Sequence, residues 1–429
     1  MGQATVQDRS VDPSSPAVPL LSQAECWAAL PRPVSGCGQP LPPWARATAR
    51  FLPRTTAAML LLDHQHRTTS PVPAPLRAKL RGVVAEANRC ETAKKEALAD
   101  LQRAEGSDDE LSQLSADCNS GAEDEQLAAE FVRLLTVAAP TIPDALFHHV
   151  RARFGTAQLA AMILLAAYGN FQDRLLWALN LARDGSDPLP PVDLAFPDGV
   201  LQVAPLVPSP PAGPDFAPRS EHVVAQDAAW SAVPFEQWQV QLEQQRCRVP
   251  RLPIPQWAEI RDRLPSAMAN SPTRIVWTLV SLGYAPELQV PWLITTRTQW
   301  SERPLPRVLE ESLFWVQTKA VGCCYCMGHC EMLLEVAGLD RSAVLDRLRR
   351  LSGDDWSGFS AEEQRAFAYA RTLSQSPWKL TPAGYAELAQ DWGAELAFSL
   401  VWWLARGLYM TRISDGFQLP LERENVFAH

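Results

Sequence analysis

Residues 309–338 read LEESLFWVQTKAVGCCYCMGHCEMLLEVAG. Leu309, Leu313, Val316 and Ala320 recur at helical spacing, and after Gly322 the pattern resumes with Leu333, Leu334, Val336 and Ala337 until Gly338 offers a stop. The stretch predicts two helices broken at a glycine. Further along, Ser360 and Glu363 form a capping box, and Thr381-Pro382 pairs a cap with a first-turn proline. Strand-like alternation is scarce, so the fold class is read as all-α.

The break carries the chemistry. Gly322 leaves Cys323 at the first turn of the second helix, where exposed N–H groups and the helix dipole favour an anion, a placement expected to lower a thiol pKa. At about 100° per residue, Cys323, Cys326 and Cys330 project from one face with His329 at its flank, while Cys324 points elsewhere as a bystander. A disulfide between Cys323 and Cys326 is then easy. His329 lies one turn from Cys326 and can take its proton, and Glu311 could orient the imidazole if the two helices pack side by side.

Outward from this stretch, the segment 187–220 is rich in proline, from Pro188 to Pro218, and reads as an extended connector. The halves on either side share a weak internal repeat. Leu76 to Leu80 and Ala87 to Cys90 align with Leu309 to Leu313 and Ala320 to Cys323, Glu125-Gln126 with Glu363-Gln364, and Arg174 and Leu181 with Arg412 and Leu419. Ala78, Ala93 and Glu96 then stand opposite Glu311, Cys326 and His329, which makes the first half a non-catalytic copy. The expected organisation is a helical unit at 1–186, a linker at 187–220 and a catalytic helical unit at 221–429.

Composition narrows the function classes. A chain of 429 residues with 47% hydrophobic content is long enough for two ordinary domains. A net charge of −9 favours neither nucleic acid nor an anionic membrane surface. The apolar runs at 159–167 and 396–404 fall short of a spanning helix, and the segment 1–19 lacks the apolar run of a secretory signal. Nine cysteines, four of them crowded into 323–330, are not distributed like disulfide staples. These features lead to the expectation of a cytoplasmic protein with reduced thiols.

Glu311, eleven intervening residues and then Cys323-x-Tyr325-Cys326-x-x-His329 resembles the core motif of the alkylhydroperoxidase D-like and carboxymuconolactone decarboxylase superfamily. The specific match spans about twenty residues of the second half; the first, with Ala85-x-x-Asn88-x-Cys90, resembles a degenerate member. The resemblance implies tandem helical bundles and a thiol-dependent hydroperoxide reductase or disulfide oxidoreductase. In it Cys326 would attack the hydroperoxide, Cys323 would resolve the sulfenic acid as a disulfide, and Glu311 with His329 would move protons. Many family members place the histidine one residue later, where this chain has Cys330. The implied partners are a small hydroperoxide and an external dithiol donor, with no metal or flavin. Members usually assemble, and a fused repeat can act as an internal pseudo-dimer.

Other readings stand beside this one. Cys323, Cys326, His329 and Cys330 are zinc-ligand types, but along one helix they spread over ~10 Å, so only a site completed by another segment would close around an ion. Tyr325 is a secondary candidate that lines the site or merely packs. Cys90 reads as a small buried hydrophobe, and His64, His66, His148 and His149 as surface or core residues. Trp315, Trp402 and Trp403 wall an apolar pocket or fill a large core. A redox-sensing scaffold that oxidises once, and a lyase or isomerase using His329 and Glu311 with incidental cysteines, are the competing functions.

Overall fold

A computed structural model describes residues 14–104, 122–197, 199–201, 229–270 and 272–428. Residues 198 and 202–220 of the proline-rich connector lie outside the described residues. Among those described, the secondary structure is helical and no strand forms, the one β-bridge joining Ser35 to Ala195.

The first half is built from α1 (Pro53–His64), continued by a π-helical turn at Gln65–Thr69, then α2 (Ala74–Ala87), α3 (Glu91–Arg103), α4 (Glu123–Val137) and α5 (Asp144–Ala178). The second contains α6 (Phe235–Arg246), α7 (Val276–Tyr284), α8 (Pro286–Glu302), α9 (Arg307–Val321), α10 (Cys324–Val336), α11 (Arg341–Ser352), α12 (Ala361–Gln375), α13 (Pro382–Trp392) and α14 (Ala394–Phe417). The helix signals read from sequence fall where expected. Gly322 ends α9 in the left-handed region at φ 77°, Gly338 follows α10 at φ 97°, Ser360 and Glu363 close a capping box on α12, and the Thr381 hydroxyl accepts from Gly384 N–H at the start of α13.

The longest helices, α5 and α14, pack against each other at the centre, and α1 packs on α8. Phe171 of α5 meets Trp292 of α8 and Trp402 of α14 edge to face, and Trp292 stacks on Tyr409 at 3.6 Å. Trp315, Trp402 and Trp403 are fully buried, which makes them core. Each such aromatic contributes roughly 1.5–3 kcal/mol by leaving water. One apolar core, from Val18 to Leu421, therefore runs through both halves. Polar contacts cross the same boundary. The Glu302 carboxylate caps α1 by accepting from Arg54 N–H and Thr55 N–H, both at 2.8 Å, and Arg412 donates to the Thr136 carbonyl at 2.8 Å.

By length and composition α5 exceeds the expectation that no helix could cross a bilayer, because polar residues interrupt its apolar runs in sequence without interrupting the helix. Its most apolar window is 72% buried inside the protein, as in a core helix, and Gly155 at φ 78° kinks it.

Candidate active site

The glycine stop on α9 sets up the site. With Gly322 left-handed, the Cys323 N–H turns back to the Thr318 carbonyl at 2.9 Å, and Cys323 becomes the N-cap residue of α10. Cys323, Cys326 and Cys330 are all buried free thiols, while Cys324 is partly exposed and sits 3.5 Å from Gln241 Oε1. The expectation that the helix N-terminus lowers the Cys323 thiol does not hold. Burial pushes that thiol well above its ordinary value, and its hydrogen bond to Cys326 and the nearby Asp415 charge push it the same way.

The central helix α14 supplies the polar floor. Cys326 Sγ lies 3.4 Å from Ser414 Oγ, whose own proton is directed at the Met410 carbonyl at 2.9 Å. Burial raises the Asp415 carboxyl to about 7 against the opposing charge of Arg412 and the neighbouring Cys323. Ser414 thus stands beside Cys326, and the Asp415 charge acts on Cys323.

His329 does not pair with Glu311. Its Nε2 lies 2.7 Å from Glu422 Oε2, in a pair buried at 7% and 8% side-chain exposure. Glu422 Oε1 accepts from Tyr325 OH at 2.9 Å and from Val276 N–H at 2.7 Å. Burial works to raise the Glu422 carboxyl, but the charge and hydrogen bond of His329 outweigh it and hold it below the usual carboxylate range. Tyr325 is therefore part of the network, donating to the carboxylate that orients the histidine.

Glycine makes this return of the chain feasible. At Gly328 an added Cβ would meet Leu421 Cδ1 at 2.7 Å, so the bare backbone of α10 lets Leu421 lie directly on it. Leu421 N–H donates to the Gln245 carbonyl at 3.1 Å, which fixes the segment that carries Glu422.

Glu311 lies in the first turns of α9, fully buried, with Oε1 3.3 Å from Arg307 Nη1 and Oε2 without a partner. Burial raises its carboxyl to about 8. Its charge acts on Cys330, whose thiol burial drives well upward. Glu311 thus belongs with Cys330 and Arg406 on one side of α10, and Glu422 with His329 on the other. Among the described residues, no three His, Cys, Asp or Glu side chains come together in a metal-holding arrangement.

Sequence reasoning missed Ser414, Asp415 and Glu422. The first two carry no motif and are brought in by packing of α14. Glu422 lies in Leu419-Pro-Leu-Glu-Arg-Glu beyond the last helix, where no periodicity marks it.

At the matching position of the first half, Cys90 is the N-cap residue of α3, buried, with its Sγ 3.9 Å from the Ala182 carbonyl, as expected of a small buried hydrophobe. Burial drives its thiol well upward. Compared with known proteins, this chain matches no family model and no curated protein.

Proposed function

We propose that the second half is a thiol-dependent hydroperoxide reductase of the alkylhydroperoxidase D-like kind, and that the first is a duplicated copy without the chemistry. Matched geometry supports the duplication. Helical segments 53–69 and 123–137 correspond to 286–302 and 361–375, with a constant spacing inside each block. The left-handed residues Arg89 and Asn180 correspond to Gly322 and Gln418, and the kinks at Gly155 and Gly393 correspond too. The corresponding helices α5 and α14, and α1 and α8, also pack on each other.

The observation that carries the activity is the two buried free thiols Cys323 and Cys326 at the start of one helix, with the Ser414 hydroxyl 3.4 Å from Cys326 and Asp415 as the next residue of α14. In the proposed cycle the Cys326 thiolate attacks the terminal oxygen of ROOH. The O–O bond breaks, RO⁻ takes a proton to leave as alcohol, and Cys326 becomes a sulfenic acid. Cys323 passes its proton to Asp415 and attacks the sulfenic sulfur, which forms the disulfide and releases water. The sum is ROOH plus two thiols to ROH, water and one disulfide; an external dithiol then reduces the disulfide by exchange. His329, held by Glu422 and Tyr325, accepts the Cys326 proton and returns it to the departing alkoxide. The deep burial of both sulfurs favours a small hydroperoxide.

Steady consumption of ethyl hydroperoxide with dithiothreitol as donor tests this reading. Many turnovers in the wild type, lost in Cys326→Ser, are expected; a single stoichiometric oxidation without turnover would point to a redox sensor instead.

A further inference from the structure

Where the second half carries its thiols, the first half has a cavity of about 260 Å³, between α2, α3, α5 and the π-helical turn. Ala78 and Ala97 line it where Glu311 and Cys330 stand in the other half. The volume sits at the small end for ligand pockets, below that of a nucleotide or drug-sized molecule.

The wall chemistry is unusual in what it leaves unpaired. His66 is 3% exposed and stacks flat on Tyr168 at 4.3 Å, and neither of its ring nitrogens has a hydrogen-bond partner among the described residues. Burial, with Arg77 and Arg81 nearby, pushes its pKa down to about 3, so the ring is neutral and offers one donor and one acceptor. Gln172 Nε2 is also without a partner among the described residues. Buried polar atoms left this way cost stability unless something satisfies them. A π-helical turn, a feature frequent at functional sites, carries His66 to the wall.

The charges sort in the same way. Arg67 pairs with Asp63 at 3.2 Å and with Asp100 at 2.8 Å, Arg81 pairs with Asp173, and Arg103 with Asp100. Two wall groups remain outside these pairs. Arg77 donates only to the carbonyls of Ser70, Val72 and Arg67, and Glu96 makes no hydrogen bond or ion pair among the described residues. Burial raises the Glu96 carboxyl to about 7 even with Arg67 and Arg81 opposing. Four arginines set against Asp63, Glu96, Asp100 and Asp173 leave no net positive charge to attract a polyanion.

We propose that this cavity binds a small zwitterion of the free amino-acid type, its carboxylate received by Arg77 and its ammonium by Glu96, with His66 and Gln172 completing the polar contacts. An unmatched cation and an unmatched carboxyl in one small, otherwise balanced cavity fit a ligand bearing one charge of each sign. The proposal is independent of the thiol chemistry.

Isothermal titration calorimetry of the full-length protein with each of the twenty common L-amino acids at millimolar concentration tests it, with propionate and propylamine as half-ligands. Saturable binding of at least one amino acid is expected, with both half-ligands weaker by about tenfold or more. Glu96→Gln, nearly isosteric and checked for folding by circular dichroism, should weaken the amino acid by about tenfold or more and leave propionate unchanged. Binding of propionate as tight as that of any amino acid, the absence of heat from all twenty, or a folded Glu96→Gln variant with unaltered affinity would overturn it.

Discussion

At Cys90 and at Cys323 the chain leaves one helix through a left-handed residue and enters the next through a cysteine N-cap, with φ and ψ of −100° and 95° in one and −83° and 92° in the other. The preceding turns also match, Cys90 N–H reaching the Ala85 carbonyl and Cys323 N–H the Thr318 carbonyl, both at 2.9 Å. What differs is the surrounding wall. Cys323 has Cys326 one turn on and Ser414 and Asp415 on the packed helix α14, while Cys90 has Ala93, with Leu176 and Trp177 at the matching places on α5. The backbone device thus positions a sulfur in either half, and the second has Ser414 and Asp415 where the first has Leu176 and Trp177.

This contrast can be broken most sharply at the sulfurs. Cys326→Ser should reduce hydroperoxide turnover to background, Cys90→Ser should leave it unchanged, and Ala93→Cys should add no second active site because Leu176 and Trp177 stand where Ser414 and Asp415 do in the second half. Peroxide-consumption rates of the three variants check all of this together. His329→Gln should lower the rate by about 10²-fold or more. Glu422→Gln should lower it less, and the double variant should lose little beyond His329→Gln alone, since the carboxylate acts through the imidazole.

Smaller effects sharpen the account of how the site is held. Gly328→Ala places a methyl against Leu421 and should cost about 1–3 kcal/mol in chemical denaturation, with a fall in turnover as Glu422 moves. The last effect concerns pH. Burial raises the folded-state pKa of Glu311 to about 8 from 4.5, so the native protein holds this proton longer than the unfolded chain does. Its contribution to stability is full below about 4.5 and falls as pH rises toward 8. Glu311→Gln should therefore gain on the wild type across that window in parallel thermal melts, and the two should differ least at acid pH.

Much of the fold was legible in the sequence because it rests on local signals. Gly322, Gly338, Ser360 with Glu363 and Thr381-Pro382 each mark a helix end through backbone chemistry that needs no tertiary partner. The place of Cys323 and Cys326 at the start of one helix was legible for the same reason, since Gly322 marks where that helix begins. The partner of His329 was not. Glu311 was the only acid at a recognisable spacing, but its buried side chain turns to Arg307, and Glu422 arrives from a tail segment seated by the absent side chain of Gly328. The thiol pKa was misjudged because a sequence shows the helix dipole but not the depth of burial that outweighs it. His66 reads as an ordinary core histidine until the cavity and its unpaired ring nitrogens are seen.

The most direct test is peptide mapping with intact mass of the fully reduced protein before and after one equivalent of an organic hydroperoxide. The account predicts rapid loss of two hydrogens confined to Cys323 and Cys326, and none in Cys326→Ser; slow oxidation, or oxidation spread over Cys37, Cys247 and the other thiols, would contradict it.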